Sequence, residues 1–134
     1  MSGKGKILLD TNILINYSQN LINWSLIENS FDEYYLSIIT YMEMYGFPFA
    51  IIEEKDKLDL LFDASELLEL DLAIADKVIQ YRKERKRKIK LPDAIILATA
   101  AVHQMPILTD DWDDFIGIDD NVEIIRLDAF KLNK

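Results

Sequence analysis

Five short apolar runs, Ile7–Leu9, Tyr34–Leu36, Leu67–Leu70, Pro106–Thr109 and Val122–Arg126, alternate with longer stretches patterned for helix. That alternation restricts the fold more than any other feature of the chain. Strands separated by helices pair in parallel, because each crossover returns the chain to the same edge, and both faces of the sheet are then covered by helices. Helices are expected over residues 11–18, Leu21–Asn29, Ile38–Phe47 behind a Ser37 cap, Ala50–Ala64, 72–88 behind an Asp71 cap, and Leu91–His103. In the fifth of these, Ile74, Val78, Ile79 and Tyr81 are expected to face the core. Pro92 falls in the first turn of the last, where its missing N–H costs nothing. The expectation is an α/β fold of three layers with a central parallel sheet of about four to five strands, one domain spanning residues 1–134.

Composition removes several chemistries. The chain has no cysteine and a single histidine, His103, which excludes disulfides, thiolate metal sites and His-rich zinc sites. No apolar run approaches the ~18 residues of a membrane span, and no secretory signal is visible, so a cytoplasmic protein is expected. The formal charge of −9 argues against broad, sequence-independent nucleic-acid binding. The charge is uneven, however. "RKERKRKIK", Arg82–Lys90, takes seven of the 15 basic residues and one of the 24 acids.

Certain acids stand where burial makes them costly. Asp10 ends the first apolar run, where it either caps the following helix or faces a site at the end of the sheet. Glu43 is the only charge between Glu33 and Glu53, within the apolar "SIITYMEMYGF". It suits either a site or a capping box with Thr40. Asp93 opens "LPDAIILATAAVH", apolar nearly all round, where it suits a site or the helix dipole. "LTDDWDDF" supplies Asp110, Asp111, Asp113 and Asp114 after a strand, and Asp110 and Asp113 are expected to be ordinary surface charge. A parallel sheet can gather Asp10, Glu43, Asp93 and Asp111 at its strand ends. Carboxylates crowded there repel one another unless some take up protons or a cation joins them. Oxygen-only ligation suits Mg²⁺ or Mn²⁺, and such ions activate water against phosphodiesters.

The segments "LLDTNILIN", "SIITYMEMYG" and "LPDAIILATAAVHQMPILTDDWDDF", in this order over about residues 7–115, resemble the PIN-domain nucleases, especially the small ribonuclease toxins of VapC type. The resemblance implies a Mg²⁺- or Mn²⁺-dependent endoribonuclease, usually a homodimer, inhibited by an antitoxin encoded beside it. It implies that Asp10, Glu43, Asp93 and Asp111 are catalytic, with Asp10, Asp93 and Asp111 on the metal. Asn12 and Thr109 match the polar residues that hold ligands or water, and Asp114 the position that backs up Asp111.

The basic segment, with Arg82, Arg85, Arg87, Lys88 and Lys90, is expected either to draw RNA toward the acidic mouth or to serve as a solvated helix end. Tyr41 and Tyr45 are assigned to the core in preference to base stacking. The helices at Leu21–Asn29 and Ala50–Ala64 carry apolar residues suited to an antitoxin groove. Two other functions compete: a phospho-acceptor domain, which normally wants an acid pair after its first strand, and a non-catalytic PIN-like module that binds RNA or protein.

Overall fold

The computed structural model describes residues 4–46 and 48–132. Its centre is a sheet of five strands in the order β3-β2-β1-β4-β5, paired in parallel throughout. In chain order the elements are β1 (Lys6–Leu9), α1 (Thr11–Ser18), α2 (Trp24–Ser30), β2 (Glu33–Ser37), α3 (Ile38–Tyr45), α4 (Ile52–Asp63), β3 (Glu66–Leu68), α5 (Leu72–Glu84), α6 (Leu91–His103), β4 (Ile107–Thr109) and β5 (Ile124–Arg126). Short 3-10 turns follow β4 at Trp112–Asp114 and β5 at Leu127–Phe130. None of the helices is long and apolar enough to cross a membrane among the described residues.

Successive strand residues point to opposite faces, and the core divides accordingly. Leu8, Tyr35 and Ile107 join α5 and α6 on one side. Ile7, Leu9, Leu36 and Leu108 join α1, α2 and α4 on the other. Strands buried on both sides must be apolar at every position, which is why β1 reads as a run rather than an alternation. Helix α6 is buried from Ala94 to Ala100, where its alanines allow close approach to sheet and neighbouring helix. The chain builds β1, β2 and β3 in one direction and then returns to lay β4 on the other flank of β1. The order therefore reverses between β1 and β4, and a crevice opens beyond their carboxyl ends.

Several elements differ from expectation for identifiable reasons. Helix α2 begins at Trp24 because residues 21–23 pair with the chain's end: Asn23 N–H donates to Phe130 O at 2.8 Å, and Leu132 N–H to Leu21 O at 3.1 Å. Helix α3 starts behind Ser37 as expected, and the expected end at Phe47 lies outside the described residues. Helix α5 stops at Glu84, well before 88, with Arg85 in the left-handed region at φ 51°. Continuing it would have stacked five further cations on successive turns, where like charges at helical spacing repel. Ile79 is half exposed, because Ile74, Val78 and Tyr81 already form the buried stripe and Ile79 lies a quarter-turn away. Tyr41 is also exposed, and it packs edge-on to Phe62 and tilted against Tyr45 outside the main core.

These burials set a test of the packing. Leu97→Ala, at a fully buried position, is expected to cost about 2–5 kcal/mol in urea denaturation. Ile79→Ala is expected to change stability by less than about 0.5 kcal/mol.

Candidate functional site at the β1–β4 crevice

Asp10 follows β1 directly and is only 5% exposed. Its backbone N–H reaches Leu108 O at 3.0 Å, continuing the β1–β4 pairing to the strand ends. Both alternatives raised by the sequence are realised together, so the residue is not spared a capping role. Its Oδ1 accepts from Thr11 N–H at 2.8 Å as the N-cap of α1, and its Oδ2 accepts from the Thr109 hydroxyl at 2.7 Å across the reversal. Thr109 Oγ1 in turn accepts from Asp111 N–H at 2.9 Å. Asn12 closes the loop from the other side: its Nδ2 donates to Asp111 Oδ2 at 2.8 Å, and its Oδ1 accepts from Asp110 N–H at 3.1 Å. A strand end, a helix start and the β4 loop are thus tied by neutral donors around two carboxylates.

Glu43 joins through a second chain of hydroxyls. Ser37 caps α3 by accepting from Ile39 N–H at 3.1 Å, so the helix starts too early for a Thr40–Glu43 capping box. Glu43 instead stands exposed and accepts from Thr11 Oγ1 at 2.8 Å. Thr11 has one hydroxyl proton, so the fully buried Thr40, 3.0 Å away, must be the donor in the Thr11–Thr40 contact. Asp93, in the first turn of α6, is partly buried and feels the charges of Asp114, Glu43 and Asp111. A helix dipole favours an acid at that position, but it does not account for three other carboxylates within electrostatic reach.

The crowding appears in the proton affinities. Asp10 is pushed up from 3.8 to about 6, chiefly by burial; the Thr109 and Thr11 hydrogen bonds oppose this, and Asp93 and Asp111 add to it. Asp93 is also raised to about 6, by burial first and then by Asp114, with Lys90 pulling the other way. Among the described residues no three Asp, Glu or His side chains converge into a ready-made chelate; Asp10, Glu43 and Asp111 are each held by neighbouring donors. Their chemistry nonetheless fits a hard cation: only oxygen donors are offered, and two protonation-prone carboxylates gain from a positive charge between them.

The remaining loop acids, Asp110 and Asp113, are both exposed as expected, and Asp110 pairs with Lys131 at 2.9 Å. The Arg126 guanidinium lies 4.2 Å from the centre of the Trp112 ring and so steadies the loop bearing Asp111 and Asp114. Thr11, Arg126 and Lys131 were not singled out in the sequence, and Thr40 was read there only as a capping-box partner for Glu43. Only Thr11 and Thr40 left a signal there, as the neighbour of Asp10 and the residue one helical turn before Glu43. Arg82, Arg85, Arg87 and Lys88 line a separate concavity with none of the four acids in its walls, while Lys90 sits at the N-cap of α6 beside Asp93.

Folding raises the proton affinity of Asp10 and Asp93, so between about pH 4 and 6 the folded chain binds more protons than the unfolded one. Stability contributed by these groups is therefore lost as pH rises through that window. For Asp10 alone the rise from 3.8 to about 6 corresponds to about 3 kcal/mol. Urea denaturation in chelator at pH 4 and pH 7 is expected to show a larger decline for the native chain than for Asp10→Asn, which keeps a capping oxygen but carries no charge. Equal declines would contradict this account of Asp10.

The model of the PIN domain matches residues 7–121. A search of curated proteins finds no match. Among solved structures, a toxin–antitoxin complex from Klebsiella pneumoniae shares 31% identity with a TM-score of 0.66, over 87% of this chain and 94% of the matched one. VapBC-5 from Mycobacterium tuberculosis, described as a member of the VapBC family of toxin–antitoxin systems, shares 26% identity with a TM-score of 0.71, over 91% and 98%. VapBC2 from Rickettsia felis, bound to a DNA fragment from its promoter, shares 19% identity with a TM-score of 0.73, over 90% and 98%. The chain belongs to the PIN domain family.

Proposed function

We propose that the chain, read as one PIN domain over residues 1–134, is a metal-dependent endoribonuclease and the toxin of a toxin–antitoxin pair. The observation that carries this reading is the gathering of acids from four separate elements at the β1–β4 reversal, with Asp10 and Asp93 both raised to about 6. Asp10, Asp93 and Asp111 would hold Mg²⁺ or Mn²⁺, with Asp114 behind them. Bound there, the ion supplies a Lewis acid that polarises the phosphate and makes water more acidic. The chain's own residues do the rest. Thr109 and Asn12 hold Asp10 and Asp111 in place, and Thr11 fixes Glu43 through Oε1. The other carboxylate oxygen of Glu43, Oε2, takes the proton from the water that attacks phosphorus as the P–O bond to the leaving sugar oxygen breaks.

The partner reading has its own support. Ile15, Met44, Pro48, Phe49, Ala50 and Ile51 line a largely apolar concavity of about 310 Å³ between α1, α3 and the start of α4, with Ile51 and Ile52 exposed beside it. An amphipathic antitoxin segment suits such a groove, and a basic side chain from it would find carboxylates in the crevice. A cytoplasmic homodimer is the form in which we expect the toxin to exist.

Purified protein free of any antitoxin is expected to cut labelled RNA with Mg²⁺ or Mn²⁺ and not with chelator. Asp10→Asn should abolish the cleavage, and Glu43→Gln, which retains an acceptor for Thr11, should reduce it about 100-fold or more. A folded native chain that binds RNA without cutting it under any metal condition would point instead to a non-catalytic binding module.

A further inference from the structure

The segment Arg82–Lys90 has a structure that a solvated helix end does not require. Only Arg82 and Lys83 lie in the last turn of α5, where cations complement the dipole. The other five basic residues lie beyond the helix, beginning with Arg85 itself in the left-handed turn. All seven are exposed, and among the described residues none forms a salt bridge, in a chain whose formal charge is −9. They are not loosely displayed either. The Arg87 guanidinium donates to Ile116 O, which pins the turn against the loop that follows Asp114. Arg82, Lys83, Arg85, Arg87 and Lys88 wall a concavity of about 750 Å³. Its edge at Ile89 adjoins Lys90, one helical turn before Asp93.

We propose that this concavity is a second RNA site, holding the phosphate backbone of the strand that flanks the scissile bond. The inference rests on the nuclease reading and extends it. An acidic crevice repels the polyanion it must cut, and cations inside the crevice would compete with a metal for the same carboxylates. Placing the cations in a separate pocket whose rim leads to Asp93 resolves that conflict: affinity comes from the flanking phosphates, independently of base sequence. An acidic protein surface, including that of a second copy of the chain, is the other polyanion such a pocket suits. The path to Asp93 through Lys90 favours RNA, because a docking protein has no need of it.

The test uses the Asp10→Asn chain in chelator, so that binding is read without cleavage, and a labelled 20-nucleotide single-stranded RNA. Anisotropy titrations across a salt series compare it with the same chain carrying Arg82→Gln, Lys83→Gln and Lys88→Gln, which spares the Arg85 turn and the Arg87 tether. We expect affinity to fall at least ~10-fold at low salt and the slope of log K against log salt to drop by about 2, since each phosphate contact contributes ~0.7 on a single strand. Unchanged affinity and slope would overturn the proposal. So would a change of assembly state in sedimentation with RNA binding unaltered, which would assign the pocket to a second copy. Cleavage by the native chain is assayed separately: RNA binding that depends on the three cations without any cleavage would sink the nuclease reading and leave this site standing.

Discussion

The contact on which the rest of the site depends is the hydrogen bond from Thr109 to Asp10. It spans the one place where the strand order reverses, and it holds a carboxylate that is almost fully buried. Burial raises the cost of the charge, and the Thr109 and Thr11 donors recover part of it. Asp10 is thereby kept at the sheet end in an environment where a nearby cation has a large effect. The same threonine orients the backbone of Asp111, so one hydroxyl sets the positions of two acids contributed by different strands. Hydroxyls suit this work, since they hold carboxylates without neutralising them and leave negative charge available to a metal.

Charge is partitioned across the molecule in a way that follows from the same constraint. Carboxylates collect at the crevice, where Asp93 feels Asp114, Glu43 and Asp111 at once. Most cations near the crevice engage loop groups rather than the central acids: Lys131 pairs with Asp110, and Arg126 stacks on Trp112. The dense basic run stands one turn upstream of Asp93, and Lys90 at its end lowers that acid's proton affinity. Clustered carboxylates and a dense basic run are thus kept apart on one acidic chain.

The central strands β1 and β4, and the acid that ends β1, were legible because burial on both faces forces continuous apolar runs, and a charge breaking such a run is conspicuous. Asp10 was conspicuous in this way and Asp93 as an acid at the head of an apolar helix, while Ser37 was read as a cap and does cap α3. Glu43 was conspicuous too, although the sequence alone left a capping box open until the early start of α3 closed it. What escaped notice depended on non-local or unmarked chemistry. Thr11 is an ordinary helix residue until folding sets its hydroxyl between Thr40 and Glu43. The late start of α2 is set by pairing with residues 130–132, far along the chain. The end of α5 carries no glycine or proline; an arginine adopts the left-handed cap, and crowded cations rather than a breaker residue end the helix.

Asp10 and its neighbours, raised in proton affinity by shared burial and repulsion, are proposed as a cation site. Calorimetric titration of Mn²⁺ at pH 6, in two buffers of different ionisation enthalpy, examines that directly in the native chain and in Asp10→Asn. The account requires binding by the native chain with displacement of about one proton, because carboxyls titrating near that pH must lose their protons to bind a metal, and it requires both to be lost in the variant. Absence of binding, or binding and proton release that persist unchanged in Asp10→Asn, would contradict it.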